Sequence, residues 1–367
     1  MNATVQPAKS VRNSGIELLR IFAACAVIVL HYNGMGKALA VSTGVSHEIL
    51  GILECLCVCA VDLFIMISGY FLCTTQKRTW DKPVYLLLLL TAIRLTVYLT
   101  GNLMGGGISI VKMIHSVLPT KCYFVLLYIA LYIISPYLNI VLTRLTQKGQ
   151  TVFVFVSLLL FSVYPTLIDS YQIVINQQPM GVSTVGAWGQ QHGYTIVGFT
   201  LFYIVGAWLR INNIGKQLSN WKIILFVVAT LFCIYVWFKA EELRFVGGIS
   251  LIEYNALSYT NPMVILLTAL LLILFSHITF SSKVVNILAK STFVCYIFHL
   301  SLIPHLKVAD FAAEGGIMLF LHLIACVIAI YLVSWVVWFV LDLVFKPINK
   351  RLSHYRIFNE NNLLTKD

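Results

Sequence analysis

Charge is what this sequence has least of. Asp, Glu, Lys and Arg together make up 11% of its 367 residues, and 59% are hydrophobic; an ordinary soluble domain carries about 25% charge. A chain this poor in charge cannot coat a water-soluble globule, so that class is excluded and a membrane protein is indicated. Acid is scarcer than base, 14 residues against 25, for a formal net charge of +11. The excess does not indicate nucleic acid, because the cations sit in short loops between apolar runs and form no contiguous basic face. Also missing are a fixed-period repeat, a low-complexity tract and a polar stretch long enough for an appended soluble domain. Of nine cysteines, Cys25, Cys55, Cys57, Cys59, Cys73, Cys233, Cys295 and Cys326 lie in apolar runs. Cys55, Cys57 and Cys59 spread around a helix instead of converging, which favours packing over metal ligation, and no metal is expected.

What is present is ten apolar stretches, at about 16–35, 47–73, 83–104, 122–142, 151–168, 194–210, 221–238, 261–278, 287–306 and 317–345. About 20 helical residues cross a hydrocarbon core of roughly 30 Å. The pattern predicts an all-α, polytopic transmembrane bundle of about ten helices, one domain over 1–367 with short tails at about 1–14 and 346–367. The first stretch mimics a signal peptide, but no gap precedes His31 and Ala40 lies far beyond its end, so it reads as an uncleaved span. Cations concentrate in alternate loops: Lys9 and Arg12; Lys77, Arg78 and Lys82; Arg144 and Lys148; Arg210, Lys216 and Lys222; Lys283; then Lys346, Lys350, Arg351 and Arg356. The positive-inside rule makes that side cytoplasmic and puts both termini there. Asn261-Pro262 opens the eighth span, since proline is tolerated in a first helical turn.

The first span carries Glu17, Arg20 and His31 at membrane depth, where ionisable groups face a bundle interior or a wet cavity. Arg20 and His31, eleven residues apart, share one helix face about 16–17 Å apart along the axis. Two readings stand at Arg20: a fork for phosphate oxygens, or an i,i+3 pair with Glu17 that anchors the helix end. His31 is suited to general-base work or to a hydrogen bond between helices. Asp62, in the second span, either orients a histidine or holds a cation, with Arg94 of the third span as the structural choice. In the ninth span His299 shares a face with Thr292, beside Tyr296, at a depth matching His31; it either shares a site or packs. The external loop 170–193, with Tyr171, Trp188, Gln190 and His192, suits a sugar or an interfacial belt. Glu241, Glu242, Arg244 and Glu253 read as a solvated surface.

The Arg20-x10-His31 spacing, the segment V-D-L-F-I-M-I-S-G-Y-F at 61–71 and the element L-A-K-S-T-F-V-C-Y-I-F-H-L at 288–300 together resemble the acyltransferase-3 family of integral membrane acyltransferases. Weaker echoes are F-T-L-F-Y-I-V-G-A-W-L-R at 199–210 and the span led by Asn261-Pro262. The resemblance runs from Asn13 to about Pro304. It departs from the family where many members carry an Arg-rich motif after the second span; here only Lys77-Arg78 and Lys82 stand there.

The resemblance implies acetyl transfer from acetyl-CoA, as donor substrate, to a hydroxyl of a surface polysaccharide or lipid-linked oligosaccharide, in a bacterial plasma membrane. On this chain that implies catalytic roles for His31, Arg20 and Asp62, and CoA-phosphate contacts from Arg20, Arg94, Lys77 and Arg78. Glu17, Ser68, Tyr296, His299, Trp188 and His192 would support them or meet the acceptor. An acetyl-histidine variant is equally compatible with an imidazole. The competing class is a proton-coupled transporter or flippase, which buried Arg, Asp and His would also serve.

Overall fold

A computed structural model describes residues 13–75, 77–103, 107–118, 122–176, 193–245, 251 and 254–357. Its helices in chain order are α1 (Ser14–Asn33), α2 (Ala38–Val41), α3 (Gly44–Cys57), α4 (Ala60–Leu72), α5 (Asp81–Leu103), α6 (Ile110–Val117), α7 (Tyr123–Arg144), α8 (Gln147–Leu158), α9 (Tyr164–Asn176), α10 (Ile196–Ile211), α11 (Asn220–Arg244), α12 (Pro262–His277), α13 (Lys283–Leu288), α14 (Thr292–Leu302), α15 (Val308–Glu314) and α16 (Gly316–Leu352). No named strand occurs among the described residues. Nine helical stretches are long and apolar enough to cross a membrane, and α10, apolar over 16 residues, is the tenth segment. Each falls on one of the ten runs expected from sequence. The protein is therefore an all-α, multi-pass membrane bundle.

Local chemistry sets the ends. Asn13 caps α1 by accepting from the Gly15 amide at 2.9 Å. Asn261 caps α12 in the same way through Met263, at 2.8 Å, with Pro262 in the first turn as the sequence predicts. The second span is broken at Val58–Cys59 into α3 and α4, and the fifth carries a π-helical turn at Leu159–Val163 between α8 and α9.

α4 and α10 pack against each other through glycines. A Cβ on Gly69 would lie 2.1 Å from the Tyr203 carbonyl oxygen, and one on Gly206 would lie 2.1 Å from the Met66 carbonyl oxygen. α4 and α10 thus touch backbone to backbone, reciprocally. In lipid, where apolar surface alone drives little association, such close approach is what holds helices together. The start of α1 is seated by the Ser14 amide donating to Phe280 O at 2.8 Å and by the Ser14 hydroxyl donating to Asn286 at 3.0 Å. At its far end Asn33 donates to Leu50 O and to Glu54 Oε2, at 3.2 and 2.8 Å. All nine cysteines are free.

Two sequence expectations are corrected here. Glu241 is not on a solvated surface: it is buried, accepting from Trp237 Nε1 at 2.9 Å and from the Ala256 amide at 3.1 Å. Its neighbour Glu242 meets His47 and Lys239, while Arg244 donates to the carbonyls of Ile173 and Val174. These acids tie α11 to the elements around it because helix packing brings donors onto them, which charge pattern alone does not reveal. Arg78 is likewise no loop cation reaching outward. It is 0% exposed; Nε donates to Ser135 Oγ at 2.8 Å, and its terminal nitrogens donate to Thr75 O, Lys77 O and Leu72 O at 2.9, 3.0 and 3.3 Å. The guanidinium joins Asn139 Nδ2 in satisfying Leu72 O, at the end of α4, and Thr75 O, just beyond it.

Candidate active site

Three helices set two cavities end to end. α1 and α14 run alongside each other and α4 runs opposite, so residues near the starts of α1 and α14 meet residues late in α4. The first cavity, about 360 Å³, is lined by Arg20 of α1, Ser68 of α4, Lys82 and Tyr85 of α5, Tyr128 of α7 and Lys290 just before α14. The second, about 420 Å³, is lined by His31 of α1, Val61 of α4, Tyr123 of α7, His299 of α14, and Tyr194 and Tyr259. Tyr296 lines both, and the Phe124 ring packs on it with centroids 4.6 Å apart. Both volumes fall within the ordinary range for small-molecule sites.

At the arginine end, Arg20 makes the i,i+3 pair with Glu17. Its Nη1 donates to the two Glu17 carboxylate oxygens at 2.9 and 3.1 Å, and its guanidinium lies 5.5 Å from the Phe71 ring centre. The ion pair anchors the fork while Arg20 lines the cavity. Lys82 and Lys290 bring two further cations. Ser68 donates to Phe64 O at 2.8 Å and to the Tyr128 hydroxyl at 3.3 Å.

At the histidine end the two imidazoles meet edge to face, ring centres 4.6 Å apart. His31 Nδ1 lies 3.0 Å from the Val27 carbonyl and His299 Nδ1 lies 3.0 Å from the Cys295 carbonyl. A carbonyl only accepts, so in each neutral ring Nδ1 carries the proton and Nε2 keeps the lone pair. The i−4 carbonyl of each histidine's own helix therefore does the orienting. His299 is 1% exposed, and its Nε2 has no hydrogen-bond partner. Tyr194 stacks edge to face on both Tyr123 and Tyr259, at 4.7 and 4.9 Å.

Asp62 is 0% exposed and neither carboxylate oxygen has a hydrogen-bond partner. It hydrogen-bonds neither histidine, and the expected ion pair with Arg94 does not form. Arg94 instead donates from Nε to Ser116 O at 2.7 Å, clamping α6 to α5, and lines neither cavity. Lys77 is exposed and lines neither cavity, and Arg78 is sealed as described. Arg20 is thus joined by Lys82 and Lys290, not by Arg94, Lys77 or Arg78. The signal for Lys290 was available, since it stands two residues before Thr292 at the start of the histidine helix. Trp188 and His192 lie outside the described residues.

The described residues thus form a multi-pass helical bundle in which a cationic cavity and an imidazole cavity share one tyrosine. Residues 13–339 match the Acyltransferase domain model of the acyltransferase-3 family, and the chain belongs to that family. The match runs past the Pro304 expected from motifs and well into α16. The chain is accordingly a membrane acyltransferase of that family. No curated protein and no solved structure matches it significantly.

Proposed function

We propose that the protein moves an acetyl group from acetyl-CoA to a hydroxyl of a surface or lipid-linked glycan, with the arginine end toward the cytoplasm of a bacterial plasma membrane. The observation that carries this reading is the pair of cavities sharing Tyr296, one rich in cations and the other holding two oriented imidazoles. CoA phosphates meet Arg20, Lys82 and Lys290, and guanidinium and ammonium groups are the usual partners of phosphate. The thioester arm extends past Tyr296 toward His31. There Nε2 accepts the proton of the acceptor hydroxyl as that oxygen bonds to the thioester carbonyl carbon. The carbon–sulfur bond breaks, and the proton passes from the imidazolium to the departing thiolate, so ester and CoA thiol leave and the histidine is regenerated. Tyr123, Tyr194 and Tyr259 offer flat apolar faces and hydroxyls, the combination a sugar ring uses. Sidedness follows the cation-rich loops.

The test is kinetic. Purified protein given labelled acetyl-CoA and glycan should transfer the label, and Lys82→Gln/Lys290→Gln should raise KM for acetyl-CoA by about tenfold or more with kcat little changed, because the removed contacts are made equally in ground and transition states. Absence of transfer by the wild type, with uptake of a metabolite instead, would assign the bundle to transport. An unchanged KM would free the two lysines of any donor role.

A further inference from the structure

A second basic pocket lies beside the first and takes no part in the transfer just described. It is a cavity of about 170 Å³ between the ends of α4, α10 and α12 and the turn that follows α10. Its polar lining is Tyr70, Arg210, Asn213, Lys216, Ser276 and His277, with no carboxylate among the lining residues. The imbalance reaches beyond the pocket. The chain has no acidic residue between Asp62 and Asp81, between Asp169 and Glu241, or between Glu253 and Asp310, and every lining residue falls in one of those stretches. Arg210 and Lys216 converge on this concavity, and no carboxylate lines it with them.

The site is held in shape. Asn213 has φ 50° and Gly215 φ 81°, so the turn runs through the left-handed region twice. A Cβ on Gly215 would lie 2.5 Å from Ile273 Cγ2, so the turn is seated directly on α12. Ile214 N donates to Leu209 O at 3.0 Å and Lys216 N to Asn213 O at 3.2 Å, which fixes Lys216 relative to Arg210. Arg210 Nη1 donates to the Tyr70 hydroxyl at 3.1 Å, with its guanidinium 4.9 Å from the ring centre. That occupies one edge of the fork. On the α12 side, His277 Nδ1 meets Asn220 Oδ1 at 2.8 Å, while its Nε2 is buried and has no partner.

We infer that this pocket binds a phosphate group. Fork, ammonium, amide and hydroxyl around a carboxylate-free hollow are the donor set a phosphate takes. The volume is below the roughly 300 Å³ at which drug-sized sites begin, which suits a phosphate with a small substituent and not a whole nucleotide. Basic pockets between membrane helices also take anionic lipid headgroups, and the apolar wall of Leu209, Leu272 and Ile273 leads from this one toward the bundle. The site adjoins the donor cavity through consecutive residues: Tyr70 contacts Phe71 at 5.5 Å, and Phe71 lies under Arg20. The assignment does not depend on the acyl-transfer reading.

The experiment is a thermal-stability titration of full-length protein in neutral detergent. Three additions are compared: inorganic phosphate, chloride at matched ionic strength, and micellar phosphatidylglycerol against phosphatidylcholine. The proteins are the wild type, Arg210→Gln/Lys216→Gln, Lys216→Gln alone, and Lys222→Gln as an exposed cation on the same face outside the pocket. Wild type and Lys222→Gln should gain Tm saturably with a phosphate-bearing addition but not with chloride or phosphatidylcholine. A response to inorganic phosphate identifies a free-phosphate site, and a response to phosphatidylglycerol alone identifies a headgroup site. The double variant should show an apparent Kd weaker by about tenfold or more, a loss of about 1.4 kcal/mol or more. Lys216→Gln, a change in an exposed turn, should show the same direction should the double variant not fold. Failure of every phosphate-bearing addition to shift the wild type, or equal shifts in wild type and Lys216→Gln, would overturn the assignment.

Discussion

His31→Ala should lower acetyl transfer by about 10²–10⁴-fold and leave a folded protein. The loss is large because the ring offers one lone pair to the cavity, on Nε2, once Nδ1 has donated to Val27 O at 3.0 Å. His299, the second imidazole of this cavity, is the more deeply buried of the two and is not expected to replace it. Asp62 has no hydrogen bond to either histidine, and His299 meets His31 only ring edge to ring face, at 4.6 Å. Folding should survive because the substitution removes a single hydrogen bond within one helix, a net cost of about 1 kcal/mol. The measurement is initial-rate transfer of labelled acetyl by purified variants, with elution in detergent as the check on folding. His299→Ala should cost less than His31→Ala, since its Nε2 is buried without a partner and its ring supports the first. Transfer by His31→Ala within a few fold of wild type would remove the imidazole from the chemistry.

Gly206→Leu should abolish accumulation of monodisperse protein, and Gly206→Ala should cost about 1–3 kcal/mol of stability. The atom in the way is the Met66 carbonyl oxygen, 2.1 Å from the built Cβ, and it belongs to a helix backbone that cannot swing aside. α4 and α10 must separate, and Phe64 and Ser68, which line the arginine cavity, move with α4. Gly101→Leu is the control, because nothing lies within 4 Å of a Cβ there. Size-exclusion profiles of tagged variants distinguish the two outcomes. Equal behaviour of Gly206→Leu and Gly101→Leu would mean that the α4–α10 contact does not organise the bundle.

The ten spans were legible because membrane thickness imposes a length on apolar runs, and each run became a helix or a broken helix. Helical geometry also made legible which residues share a face. Arg20 and His31 on α1, and Thr292 and His299 on α14, stand at the two cavities as their spacing required. Spacing within a helix does not say which helix faces which. That is why Arg94 was expected beside Asp62 and lies against Ser116, and why Lys290 went unremarked although it lines the arginine cavity. Arg78 was misplaced for a related reason: a loop cation looks available to a ligand until the carbonyls at and just beyond the end of α4 are found around it. The i−4 carbonyls that orient both histidines could have been read from helix geometry alone.

A donor bound at the arginine end should serve an acceptor at the histidine end. Sealed vesicles provide the test, with labelled acetyl-CoA supplied only to the face at which α1 begins, the end that carries Arg20, and glycan acceptor only to the other. Wild type should yield acetylated glycan in the acceptor compartment, and His31→Ala none. Label confined to the donor side, or transfer only after the vesicles are breached, would contradict it.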